Sequence, residues 1–232
     1  KSGTNRLHGD AFVYVRDDAL NATEHFEDLQ GREKAPYGQN QYGGIVGGAL
    51  KKDTLFYFLS FERLDIDANN FVTIDDQALV SYLGQPLGTP AQILRRAGFP
   101  VETGNVPYAV WGDQFLGKAD AQFSSSQHLA FRYNWADARD ENAEPWGGLV
   151  ARSRGAHLDS HDYMVAATHS AVLSSRWVNE ARLLFARRNQ EVVSLDPNCN
   201  GPCASMTDGG PTLEVLGVAS VGRQRYTPQP RE

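Results

Sequence analysis

The sequence predicts an all-β fold: an antiparallel, up-and-down transmembrane β-barrel, present as a partial arc of about eight strands. Three observations predict it. Polar and apolar residues alternate with period two in segment after segment, as side chains do on the two faces of a strand. Short polar turns alternate with long irregular connections. The apolar stripe that the segments would form together is far larger than a soluble monomer exposes.

The elements follow in order. Residues 9–16 put Ala11, Val13 and Val15 on one side and Phe12, Tyr14 and Arg16 on the other. Residues 42–50 are glycine-rich and strand-like, Lys51-Lys52-Asp53 reads as a turn, and 55–63 is an aromatic strand with Leu55, Tyr57, Leu59 and Phe61 on one face. The clearest pair comes next. In residues 114–123, Gln114, Lys118, Asp120 and Gln122 oppose Phe115, Gly117, Ala119, Ala121 and Phe123. After Ser124, Ser125, Ser126 and Gln127, residues 128–135 set His128, Arg132 and Asn134 against Leu129, Phe131, Tyr133 and Trp135. A third hairpin joins 161–171 to 177–188, where Glu180, Arg182 and Arg188 oppose Asn179, Ala181, Leu183 and Phe185. A last strand is expected from about Pro211 through Leu213, Val215 and Gly217.

The long connections are 17–41, 64–112, 137–160 and 191–210. In an up-and-down sheet successive connections fall on opposite ends, so all the short turns share one rim and all the long loops the other. The 64–112 loop is expected to hold a short strand at 71–74 and a short helix at 90–97, ended by Gly98 and Pro100. Short turns, long loops and alternating strands with aromatic ends are the pattern of an outer-membrane barrel. A soluble antiparallel sandwich, such as a secreted carbohydrate-binding module, is the competing reading, because its strands alternate too. Loop asymmetry favours the barrel, and so does area: eight tilted strands present an apolar band on the order of 1,000 Å². Eight strands closed on themselves would fill their interior with their own side chains. The polar face here carries Lys118, Asp120, Arg132, Asn134, Glu180 and Arg182, which suits the wet or plugged lumen of a larger barrel.

Composition narrows the function classes. The 232 residues are 41% apolar, with 22 Lys plus Arg against 28 Asp plus Glu, a formal charge of −6 and a pI near 5.5. That balance argues against a nucleic-acid partner. No run approaches the roughly 18 to 20 apolar residues of a membrane-spanning helix. The chain opens at Lys1-Ser2-Gly3-Thr4-Asn5 without an initiator Met or a leader, and is expected to be a piece of something longer. Cys199 and Cys203 lie in a turn-rich stretch, where a small loop disulfide in an oxidising compartment is the preferred reading and free thiols the alternative.

Nothing in the sequence assembles a catalytic or metal centre, and neither enzyme activity nor a cofactor is expected. Ser124–Ser126 beside His128 fit a polar turn better than a nucleophile and base. His157, Asp159, His161 and Asp162 are spaced so that a metal site is conceivable, with solvation at a loop-to-strand transition the plainer account. Glu24, His25, Glu27 and Asp28 read as an acidic exposed loop. Gly43-Gly44 and Gly47-Gly48 are not followed by the Lys-Ser/Thr of a phosphate loop; in a strand they permit close backbone approach. Phe115, Phe123, Leu129, Phe131, Tyr133, Trp135 and Trp177 are expected to face lipid or to form interfacial girdles. Trp111 and Trp146 stay open between girdle and sugar-stacking roles.

Taken in order, several of these segments resemble one family. Lys1-Ser2-Gly3-Thr4-Asn5, His8-Gly9-Asp10-Ala11-Phe12 and residues 16–22 resemble the plug-to-barrel junction of TonB-dependent receptors, particularly the Oar-like branch. Gln39-Asn40-Gln41-Tyr42-Gly43-Gly44 through Lys51-Lys52-Asp53, residues 113–120, Arg132-Tyr133-Asn134, Thr168-His169-Ser170 and Asn179-Glu180-Ala181-Arg182 continue the likeness. The resemblance implies a barrel of about 22 strands closed by an N-terminal plug. It also implies a bacterial outer-membrane location and import of an unknown solute with energy relayed by TonB. Residues 1–7 would be the end of the plug and 8–232 the first part of the barrel, in contact with outer-membrane lipid and with a plug and TonB-binding region that this sequence lacks. The alternative of a passive porin-like channel shares the strands and needs no plug.

Overall fold

The computed structural model describes residues 3–23, 28, 31–75, 79–143, 146–196 and 211–223. Its main element is one antiparallel sheet built from β1 (His8–Asp17), β2 (Tyr37–Lys51), β3 (Leu55–Val72), β6 (Gly104–Ser124), β7 (Gln127–Ala143), β8 (Ala156–Ser174) and β9 (Trp177–Ser194). Each strand pairs with the next of these in sequence, the order being β1-β2-β3-β6-β7-β8-β9. Consecutive pairing throughout is the up-and-down topology that the alternation predicts.

Three tight turns close the hairpins at one end: residues 52–54, 125–126 and 175–176. At the first, Asp53 takes a left-handed φ of 60°, and Asn5 clamps it by accepting from the Asp53 backbone N–H at 2.8 Å. A register shift precedes each turn, between Ala49 and Lys51, Gln122 and Ser124, and Val172 and Ser174. Such bulges sharpen twist where strands reverse. The connections 18–36, 73–103 and 144–155 all lie at the other end.

The strands are longer than their alternating segments. β6 runs for 21 residues and β3 for 18, so the 64–112 connection shortens to 73–103. Residues 71 and 72 are the tail of β3 and not a separate strand. The reason is local: beyond Phe61 the two faces of β3 exchange character, with Arg63, Asp65 and Asp67 following the parity of Leu59 and Phe61 while Leu64 and Ile66 take the other, so the pattern breaks although the backbone ladder continues. The expected strand at Pro211 is corrected too. Leu213–Val215 is a three-residue strand, β10, that pairs with β11 (Ala219–Val221) outside the main sheet. The described sheet therefore holds seven strands.

The loop end has a core of its own. A short ribbon, β4 (Val80–Tyr82) with β5 (Gln85–Gly88), leads into α1 (Pro90–Arg96). That helix is started by a capping box, with Thr89 accepting from the Gln92 N–H and the Gln92 side chain accepting from the Thr89 N–H, and has Pro90 in its first turn. Ile74, Ala91, Leu94, Val101, Trp146, Ala151 and Val221 bury themselves together against Val72 of β3 and Val106 of β6. Trp146 is 6% exposed and meets Tyr108 edge-on at 6.2 Å. The backbone bridge Val72 to Gly148 stitches this cap to the rim, and the bridge Val150 to Ser220 joins two of its segments. Because Val72, Val106 and Tyr108 share the face of Lys118 and Asp120, the cap folds over that face.

Candidate functional site: the two faces of the sheet

Directly opposed residues on neighbouring strands share a face, so the register sorts the side chains. Lys118 stands opposite Arg132 and Leu116 opposite Asn134, while Thr168 stands opposite Arg182 and Ser170 opposite Glu180. With Arg132 opposite Ala166, the structure brings Lys118, Asp120, Arg132, Asn134, Glu180 and Arg182 onto one face. They interact in small groups. Lys118 Nζ lies 3.1 Å from Asp120, whose other oxygen is 3.6 Å from His128 Nε2. Arg132 donates to Asn134 at 2.6 Å, and Arg182 pairs with Glu180. Farther along, Gln41 donates to Glu62 at 2.7 Å, and Arg188 meets Asp162 directly across the ladder at 2.6 Å. A groove of about 580 Å³ runs along this face past Glu62, Gln114, Asn134, Asp162 and Arg188, with Leu116 and Met164 as its apolar part.

The opposite face is greasy. Phe115, Phe123, Leu129, Phe131, Tyr133, Trp135 and Trp177 all fall on it, joined by Val13, Leu59, Leu183 and Phe185. Among the described residues no second layer covers it: Leu183 is 69% exposed and Phe131 44%. A sandwich would bury this surface under another sheet, and that reading is set aside.

The register also shows order that alternation could not. Phe61 stands opposite Phe115, Phe115 opposite Trp135 and Trp135 opposite Tyr163. These four residues make one aromatic row across four strands. The next row on the same face is Arg63, Asp113, Asp137 and His161, and the one after it is Asp65, Trp111, Arg139 and Asp159. One ion pair, Arg63 with Asp65, joins the two charged rows, and the other contacts run within a row. Arg63 lies 3.0 Å from Asp65 and 3.3 Å from Asp113, Arg139 lies 2.6 Å from Asp159, and His161 lies 2.5 Å from Asp137. Both guanidinium carbons sit 5.6 Å from the centre of the Trp111 ring, within the range of cation–π attraction.

These contacts resolve several sequence expectations. Asp159 and His161 pair with β7 on the apolar side, while Asp162 points to the other face, so the four residues 157–162 form no metal cluster. Among the described residues no group of three metal-ligating side chains gathers anywhere. Trp146 belongs to the cap core and is neither girdle nor sugar platform; Trp111 sits among charges beyond the aromatic row. Ser124 and Ser126 bond to each other in the turn, as a polar turn should. Cys199, Cys203, Glu24, His25 and Glu27 lie outside the described residues. The charged rows went unread in the sequence, although one signal was there: Arg63, Asp65 and Asp67 keep the parity of Leu55 to Phe61.

A family described as outer membrane beta barrel domain matches residues 1–78 and 76–232. No curated protein and no solved structure matches the chain.

Proposed function

The chain belongs to the outer membrane beta barrel domain family, and from that premise we propose that it is the first part of the barrel of a TonB-dependent receptor of the Oar-like type. The barrel places the chain in the bacterial outer membrane. In the proposed receptor the apolar face meets lipid and the polar face looks into the lumen. Lys118, Asp120, Arg132, Asn134, Glu180 and Arg182 then line the wall that a plug would touch, and the cap and long loops lie on the cell exterior. The role is solute import, not catalysis.

One observation carries the assignment of faces: a single sheet keeps an uninterrupted apolar band on one side and paired charges on the other. In water that band would be a large exposed patch. In a bilayer it is the surface that β-barrels require, since closure satisfies every backbone group between strands. The receptor reading adds the ordered series of motifs from residue 1 to residue 182. Residues 3–7, held to the β2–β3 turn through Asn5 and Asp53, suit a chain arriving at the periplasmic rim.

The test uses the full-length protein. Binding of the periplasmic domain of TonB, together with no steady conductance in a planar bilayer, is the expected result. A steady open conductance with no TonB binding would instead identify a passive channel.

A further inference from the structure

We propose that Arg132, with Lys118 beside it, is the anion-binding end of the groove on the polar face, taking the carboxylate of a small solute whose apolar body lies on Leu116 and Met164. This names a solute class, and it rests on the receptor reading only for the claim that the bound solute is imported.

Two cations face each other here. Lys118 and Arg132 stand directly opposite across the β6-β7 ladder, and like charges in that position are destabilising. Asp120 answers Lys118 at 3.1 Å. Arg132 is exposed and its partner is neutral, since its Nε donates to Asn134 Oδ1 at 2.6 Å. Among the described residues no carboxylate pairs with it. The edge of the guanidinium formed by Nη1 and Nη2 is a fork that matches the two oxygens of a carboxylate.

The bond to Asn134 leans that fork toward the groove. Asn134 stands in one row with Leu116 on one side and Met164 on the other, and all three line the groove. The row of Lys118 and Arg132 is the next along the same face. A volume of about 580 Å³ is that of a small-molecule pocket, where apolar walls hold the body of a ligand and a few polar groups orient it. Leu116 and Met164 supply the walls. The Asn134 amide, whose oxygen is occupied by Arg132, keeps its N–H groups to donate to an amide carbonyl of the solute. Charge sets the anion: Lys118 and Arg132 against Asp120 leave one positive charge, the complement of a single carboxylate.

The experiment places the full-length protein in lipid nanodiscs and measures by titration calorimetry the binding of N-acetyl-leucine, N-acetyl-methionine and N-acetyl-phenylalanine, each against its uncharged amide. The acids should bind about tenfold or more tightly than the amides. Arg132→Gln should lower the affinity for the acids about tenfold or more, the range of a charge-assisted hydrogen bond, and Arg132→Lys should retain part of it because the charge remains. Only preparations with the heat-modifiable migration of a folded barrel are compared. No binding of any of the acids, equal binding of acid and amide, or binding untouched by Arg132→Gln overturns the proposal. The TonB and conductance measurements separate the two readings. TonB binding without carboxylate binding sinks the anion site alone, whereas carboxylate binding in a protein that conducts steadily and ignores TonB removes active import and leaves the anion site standing.

Discussion

Phe131 and Arg132 are adjacent in the chain and belong to opposite faces of the sheet. Phe131 stands opposite Ala119 on the apolar face, and Arg132 stands opposite Lys118 on the polar one. Phe131→Arg is expected to destabilise membrane assembly by roughly 2 to 4 kcal/mol, the cost of a cation near the bilayer midplane. Arg132→Ala should leave assembly intact, and refolding into lipid vesicles measures both. Gly43 makes a second prediction. A Cβ built there would lie 2.4 Å from the Phe61 carbonyl oxygen and 2.8 Å from the Phe12 ring. Gly43→Val should therefore destabilise the β1-β2-β3 region by about 1 to 3 kcal/mol, the usual range for overpacking, seen as reduced heat-modifiable migration. Parity made Phe131 and Arg132 legible in the sequence. The tightness at Gly43 was legible only as a glycine pattern, because its causes, the Phe61 carbonyl oxygen and the Phe12 ring, lie on the two neighbouring strands.

At the scale of elements, hairpins and cap answer to different forces. Each hairpin is held by its ladder and its tight turn, while the cap is held by a small apolar core built from the connections 73–103 and 144–155 and from residues 211–223. Thr89→Ala removes the side chain that accepts from the Gln92 N–H and should cost about 1 kcal/mol of helix stability. Hydrogen exchange should show that loss confined to α1, with the strands still protected. Trp146→Ala opens a void in the cap and should cost about 3 to 5 kcal/mol locally. Faster protease cutting at the loop end, with migration of the folded barrel unchanged, is the expected outcome. The helix was legible beforehand from Pro90, Gly98 and Pro100, since start and stop signals are local, whereas the Thr89 capping box emerged only in the structure. The cap core was not legible, for Ile74, Trp146 and Val221 are brought together only by the return of distant chain.

At the scale of the molecule, the described sheet has two open edges, β1 and β9, and one uncovered apolar face. Unpaired edges invite association with other strands, and the face adds a large patch. The 232 residues expressed alone without detergent are expected to aggregate. A monodisperse, cooperatively unfolding soluble monomer in analytical ultracentrifugation would contradict the reading of the apolar face. The two charged rows act at this scale too, since they change the character of one face in register across four strands.

The sequence by itself determined the strands, their two faces and the rim to which each turn belongs, because period-two alternation and connection length are local properties of the chain. Tertiary structure decided what depends on register: the aromatic row from Phe61 to Tyr163, the charged rows beside it, the burial of Trp146 and the exclusion of residues 213–215 from the main sheet. Register aligns residues some fifty to a hundred positions apart, as Phe61 with Tyr163, and nothing in a linear pattern specifies which of them will stand side by side.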